Sequence, residues 1–372
     1  MAFIGFGKID KNIIPLILGC VFCLLNRLLN SYNGTKLFQN VVLTNIFISL
    51  GDIFIIIPYI IYRIKAKKYK KELEIEILRN KSEYAKSVKV RGKAKFIILI
   101  GLIFFANYYM FIYTIDIKSN TWIMYIAFTS LFYYLIFKSK LYLHHYLSIC
   151  LILIFGIVID LVIGNLQKDV TENLLKIVLS IVRVILLSLD YTLIKYTMEK
   201  RYVSPYVLGM FNGLINFVLF LIIAIFDHFI FNYYKCLEYF DNFNTTEFLV
   251  ILGLMGTQLG LYTTLFFIDK NDSPCHIFIV FVFGQFGLYF YNYTLDKYSA
   301  IIILSLILIF FFSLVFNEII ELRFCGLAHN TKRNIIKRAE HEVGDSLIIN
   351  TDKENERTES FTELAGYSFE IE

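Results

Sequence analysis

Arg183 and Asp190 stand seven residues apart in the apolar run Leu174–Thr197. Seven residues is about two helical turns, so in a helix the two share a face but are too far apart for a direct intrahelical ion pair. Each therefore meets a group on another helix or faces a water-filled cavity. A guanidinium in that setting can bind an anionic substrate group, and a carboxylate can take up a coupling proton or cation. The structural alternative makes each one half of an interhelical pair that fixes packing. Asp52, in the middle of the run Val41–Tyr62, and Arg27, late in the run Ile13–Leu29, pose the same choice and could pair with each other. Charged groups at membrane depth are costly, which is why each is a functional candidate. Lys176 and Asp160 lie near run ends, where a lysine snorkels and an aspartate meets the interface.

The same runs carry neutral amides at Asn45, Asn107, Asn212, Asn216, Gln258, Gln285 and Asn292. Such groups bridge membrane helices by hydrogen bonds worth about 0.6 kcal/mol each. No motif of an enzyme accompanies them: the chain has no G-x-S-x-G, no H-E-x-x-H, no P-loop and no dinucleotide fingerprint. No cofactor and no metal site is expected. The pair His144-His145 falls in a turn without acidic neighbours in sequence and reads as a topological feature. Cys20-x-x-Cys23 lies inside an apolar run with no second pair or histidine near it, and reads as packing.

The elements that must position these residues are ten apolar stretches. They run Ile13–Leu29, Val41–Tyr62, Phe96–Ile115, Trp122–Phe137, Tyr146–Gly164, Leu174–Thr197, Pro205–Phe226, Phe248–Ile268, Cys275–Tyr293 and Ala300–Phe316. A helical crossing of a bilayer takes about 20 apolar residues. With 57% of the 372 residues hydrophobic, the expected class is an all-α polytopic membrane protein of about ten transmembrane helices. The transporter-like domain would cover 1–322, with halves at about 13–164 and 174–316, and a polar cytosolic tail at 323–372 expected to be disordered. The run that follows Lys8 and Lys11 has no small-residue cleavage site, so it reads as a retained helix.

Basic residues collect in alternate gaps. The loop Arg63–Lys95 holds 13 of them against 4 acidic residues, whereas Lys36, Lys118, Lys168, Lys235 and Lys297 are single occupants of the intervening gaps. The positive-inside rule then places both termini in the cytosol. The sequons Asn33-Gly34-Thr35 and Asn244-Thr245-Thr246 fall in gaps assigned to the opposite side. Loop 63–95 can lie as a surface helix on anionic lipid, at about 1 kcal/mol per basic residue, or act as a solvated linker that enforces topology. Charge dispersed over interhelical loops excludes a nucleic-acid-binding face. Gly209-x-x-x-Gly213 and Gly256-x-x-x-Gly260 permit close helix approach, within the chain or in a homodimer.

Two stretches repeat. Tyr108 to Ser119 closes the third apolar stretch and opens the fourth; Tyr262 to Ser273 does the same for the eighth and ninth. Both read as an aromatic helix, then Ile-Asp, then a short polar turn with Lys and Ser. Assigned to opposite sides of the membrane, they have the form of a five-plus-five inverted repeat. With Ala106-Asn107-Tyr108, the Pro274 entry to the ninth stretch and Glu199 to Tyr206 before the seventh, the chain resembles the drug/metabolite transporter superfamily. Within it the nearest likeness is to solute carrier family 35, its F-type branch, and EamA-type permeases, over about residues 13–325. The resemblance implies a central cavity lined from both halves and alternating access to the two sides. It adds Asn107 to the cavity candidates, which are then Arg183, Asp190, Asn107 and Asp52. The fourth stretch has no proline and the ninth no lysine, two departures that argue against a nucleotide-sugar substrate.

The expected function is secondary-active transport of a small hydrophilic solute, not an enzymatic activity, in an endomembrane (Golgi, ER or vesicle) or the plasma membrane. The alternatives are a non-transporting membrane scaffold or receptor and, third, a membrane-embedded lipid-modifying enzyme.

Overall fold

A computed structural model describes residues 4–6, 13–30, 41–61, 64, 93–114, 120–166, 174–201, 203–231, 245–292, 297–322 and 331. Loop 63–95 apart from its two ends, the turn Asp116–Ser119, both sequon asparagines and the tail beyond 331 lie outside the described residues.

The described chain is helical: α1 Ile13–Asn30, α2 Val41–Ile53, α3 Lys93–Thr114, α4 Tyr125–Phe137, α5 Leu143–Leu166, α6 Leu174–Arg201, α7 Pro205–Phe226, α8 Thr245–Asn271, α9 Ile277–Asn292 and α10 Lys297–Phe316. Six helical segments are long and apolar enough to cross a membrane: Val42–Ile61, Leu143–Val162, Leu175–Arg201, Pro205–Phe229, Thr245–Asn271 and Ser299–Phe316. Four shorter apolar helices accompany them, at Ile13–Leu29, Ala94–Met110, Thr121–Phe137 and Pro274–Gly287. The surface and the interior are inverted relative to a water-soluble domain. Leu161, Leu175 and Ile157 are exposed, while Asp52, Asn45, Asn212, Asn216, Asp190, Thr192, Gln258 and Asp269 are buried. Large apolar side chains outside and polar ones inside fit hydrocarbon as the surrounding solvent. The protein is an integral membrane protein of the all-α class.

Two helices enter by a turn of 3₁₀ helix, α4 through Thr121–Met124 and α9 through Pro274–His276. Three-residue strands β1 Ile4–Phe6 and β2 Ile320–Leu322 pair antiparallel, Gly5 opposite Glu321. This ladder ties the approach to α1 to the exit from α10, so both lie at one end of the bundle.

The helix pairings fall into matched sets. α2 packs on α7 and α5 on α10; α3 packs on α6 as α1 does on α8; α4 packs on α6 as α9 does on α1; α3 packs on α7 as α8 does on α2. Within this set, adding five to the number of each helix, with α10 followed by α1, returns the same pairings, whereas the packing of α9 on α10 has no counterpart between α4 and α5. Close approach at α2 is set by glycine. A Cβ on Gly213 would stand 2.7 Å from the Asp52 Cβ and the Ile53 amide, and one on Gly209 would meet Ile55 and Phe266. The Gly209-x-x-x-Gly213 pattern is therefore used inside the chain. In the second pattern, Gly260 packs on Phe22.

Candidate functional site

The polar residues at the centre of the bundle begin with a defect in α2. Regular helix stops at Ile53 and resumes at residues 56–61. Pro58 lacks an amide hydrogen, and its ring clashes with the carbonyl four residues back, at Phe54. The chain responds there with the tighter bonds Ile55 N to Asp52 O, 3.2 Å, and Ile57 N to Phe54 O, 2.9 Å. Asp52 sits one residue before this break and is 1% exposed. Its carboxylate is within hydrogen-bonding reach of Gln258 on α8, and its second oxygen has no partner among the described residues.

Gln258 is the hub. Its Oε1 accepts from Asn26 Nδ2 on α1 at 3.1 Å, and its Nε2 donates to Tyr108 Oη on α3 at 3.4 Å. Asn26 also donates to Thr257 Oγ1 at 3.3 Å. The Tyr108 and Tyr262 hydroxyls are 2.8 Å apart. Phe104 stands edge-on to both rings, with centroids at 4.8 and 5.3 Å. Arg183 on α6 approaches this group beside Tyr108 and Arg27. Asn107, next to Tyr108, is 5% exposed with its Oδ1 unpartnered among the described residues. One continuous polar belt thus joins α1, α2, α3, α6 and α8.

Asp190 belongs to a second group, about 10 Å further along α6 from Arg183 by helical rise. It is fully buried, and neither carboxylate oxygen has a partner among the described residues. Asp269, near the end of α8, is in the same condition and is an electrostatic neighbour of Asp190. Tyr125 on α4 lies beside both and donates to Pro274 O at 3.2 Å. Ser188 donates to Tyr125 O at 3.3 Å. Tyr191 connects the two groups, lying near Tyr108 and Tyr125.

Lys195 closes this end. Its Nζ donates to Lys270 O and Asp272 O, both at 2.9 Å, and pairs with Glu199 Oε1 at 2.9 Å. The two carbonyls belong to the last turn of α8 and its exit, where backbone acceptors lack helical partners and the helix dipole favours a cation. Three acceptors compensate a buried ammonium that would otherwise be very costly. At the opposite end, Asp160 Oδ1 accepts from Asn120 N at 2.9 Å and Asn120 Nδ2 at 3.0 Å. That carboxylate caps the turn that leads into α4, so Asp160 holds a defined partner instead of merely marking the interface. Asn120 Oδ1 in turn accepts from Tyr289 Oη at 3.2 Å.

The structure thus brings Asp52 and Arg183 to one belt and Asp190 to the adjoining group, while Asn107 is buried on α3 one residue before Tyr108. It sets Asp52 with Gln258, and Arg27 beside Cys23 and Gly284, in place of a pair between the first two helices. Asn216 Nδ2 donates to Asn212 O on its own helix, 2.7 Å, and so supports the backbone locally. Lys195, Asp269, Gln258 and the tyrosine pair are additions to the expected set. Hydropathy places the ends of α6 and α8 at Thr197 and Ile268, whereas the helices continue to Arg201 and Asn271. The signal available in sequence was the one lysine flanked by apolar residues late in α6.

No known family model matches this chain, and no curated protein matches it.

Proposed function

We propose that this protein is a secondary-active carrier of a small hydrophilic solute, built as a five-plus-five inverted repeat of the drug/metabolite transporter type. The observation that carries this reading is the polar belt at the Tyr108–Tyr262 contact, where helices of both halves supply hydrogen-bonding groups at membrane depth. Tyr108 and Tyr262 open the two repeated stretches, so their direct contact is what an axis relating the halves would produce. The matched helix pairings and the 3₁₀ entries to α4 and α9 support the same architecture.

In this reading Asp52, Asn107 and Arg183 contact the solute, and Asp190 takes a coupling cation or proton. The distribution of basic loops assigns the Lys195 end to the cytosol. The Lys195–Glu199 pair and the carbonyls of α8 then form a closed cytosolic gate, and transport requires it to open. A static scaffold has no use for buried, unpartnered carboxylates, which lower stability without fixing a partner helix.

The test is uptake of a broad solute panel by proteoliposomes holding the full-length protein, with Arg183→Ala and Asp190→Ala beside it. The expected result is uptake of at least one solute class that both substitutions abolish. Uptake unchanged in both variants removes the assigned roles, and no movement of any solute favours the scaffold reading.

A further inference from the structure

We propose that His144, His145 and Glu318 form a binding site for a divalent transition-metal ion of the zinc class. Glu318 lies far from the histidines in sequence, so the pair does have an acidic neighbour once the chain is folded. The histidines open α5, and Glu318 follows the end of α10, a helix that packs along α5. His144 Nε2 is 3.3 Å from Glu318 Oε1, and the two imidazole centroids are 4.0 Å apart. One ligand atom from each of the three residues lies within 4.8 Å of the others. Zinc-to-ligand bonds near 2.0–2.1 Å put neighbouring donors of a tetrahedral site about 3.3 Å apart. The His144–Glu318 separation already has that value, and a side-chain rotation of His145 completes the set.

Two further observations point to a ligand there. His144 is 3% exposed, yet neither of its ring nitrogens has a hydrogen-bond partner among the described residues. A buried imidazole whose Nδ1 has no hydrogen-bond partner, and whose Nε2 faces Glu318 at 3.3 Å without forming a hydrogen bond, is incompletely satisfied, and a metal ion supplies the missing partner. The second observation is the backbone at Glu318. Ile319 N bonds Leu314 O at 3.0 Å and Glu318 N bonds Val315 O at 3.1 Å, the bond pattern that ends a helix with a left-handed residue. Glycine is the usual occupant of that position, but here it is glutamate at φ 57°. The unfavourable conformation turns the carboxylate back toward His144.

Two imidazoles and one carboxylate suit zinc and its first-row neighbours and leave one coordination position open for water. Ligation also has a local consequence. His145 Nδ1 accepts the Tyr142 amide at 3.0 Å. Binding through Nδ1 takes that lone pair, and binding through Nε2 makes Nδ1 a donor, so either mode frees the Tyr142 amide. The ion would pin the start of α5 to the end of α10.

The test uses the full-length protein in detergent, purified on a tag without histidines, stripped with a chelator and titrated with Co²⁺ and then Zn²⁺. The expected result is a tetrahedral cobalt d–d absorption band that zinc displaces, with faster exchange of the Tyr142 amide on binding. His144→Ala and Glu318→Gln should each weaken binding by at least the ~10–100-fold seen on loss of a group that merely supports a ligand. Glu318→His, which substitutes a third imidazole, should retain it and so controls for folding. Absence of the band, or equal metal affinity in the protein and in His144→Ala, overturns the site and leaves a His144–Glu318 ion pair in its place.

Discussion

The turns that lead into α4 and α9 are alike in backbone and opposite in chemistry. At Thr121–Met124 an exposed carboxylate, Asp160, caps the turn, and the chain there is held by hydrogen bonds at the rim of the bundle. At Pro274–His276 the turn sits among buried groups: Ser273 Oγ meets His276 Nδ1 at 2.9 Å, and Lys195 covers the end of α8 just before it. One end of the bundle is thus fastened by a buried cation and the other by a peripheral cap. A carrier caught closed on one side has that asymmetry; a symmetric packing scaffold has no need of it.

The comparison can be broken by substitution. Lys195→Ala should cost the most, about 3 kcal/mol, because it leaves Asp269 without its nearby cation and two carbonyls without donors. Thermal unfolding in detergent measures this, and a cost no larger than that of Asp160→Ala removes the distinction between the ends. Gly213→Ala should follow at about 2 kcal/mol, since its methyl would meet the Asp52 Cβ and the Ile53 backbone at 2.7 Å. The backbone contact leaves α2 and α7 no easy way to part, and an unchanged midpoint would show that they separate freely. Asp160→Ala should cost about 1 kcal/mol, the usual value for loss of a capping side chain. Tyr108→Phe should cost a similar amount in stability, about 1 kcal/mol, because it deletes two membrane hydrogen bonds, to Tyr262 and Gln258, of about 0.6 kcal/mol each. Its effect on solute uptake should be disproportionately larger, and equal small losses in both would make the belt structural.

Much of the fold is legible in the sequence because the bilayer imposes a length and an apolarity on each helix. All ten apolar stretches correspond to helices of the structure, with shifts at their ends. Asp52, Arg183 and Asp190 also announce themselves, since a charge inside an apolar run is rare. Their partners do not. Gln258 meets Asn26, Asp52 and Tyr108 only after four helices assemble, and no spacing along the chain encodes that. Asp269 was hidden because the apolar run ends at Ile268 while the helix runs on to Asn271. Lys195 lies inside its run, but its acceptors on α8 appear only once the two helices assemble. Glu318 shows the same limit at the surface of the bundle: only the pairing of α10 with α5 brings it to His144. The Ile-Asp repeat was readable as a pattern, and its second copy contains the buried Asp269.

Alternating access requires the Lys195 end to act as a gate. Thr192 is fully buried between Asp190 and Lys195. The measurement is the rate at which a membrane-impermeant maleimide, applied from that end, labels Thr192→Cys in a protein whose six native cysteines have been replaced. With Lys195 intact the rate should be low, and Lys195→Ala should raise it at least about tenfold, the factor that each 1.4 kcal/mol confers. Equal rates with and without Lys195 would contradict the gate and the alternating-access reading with it.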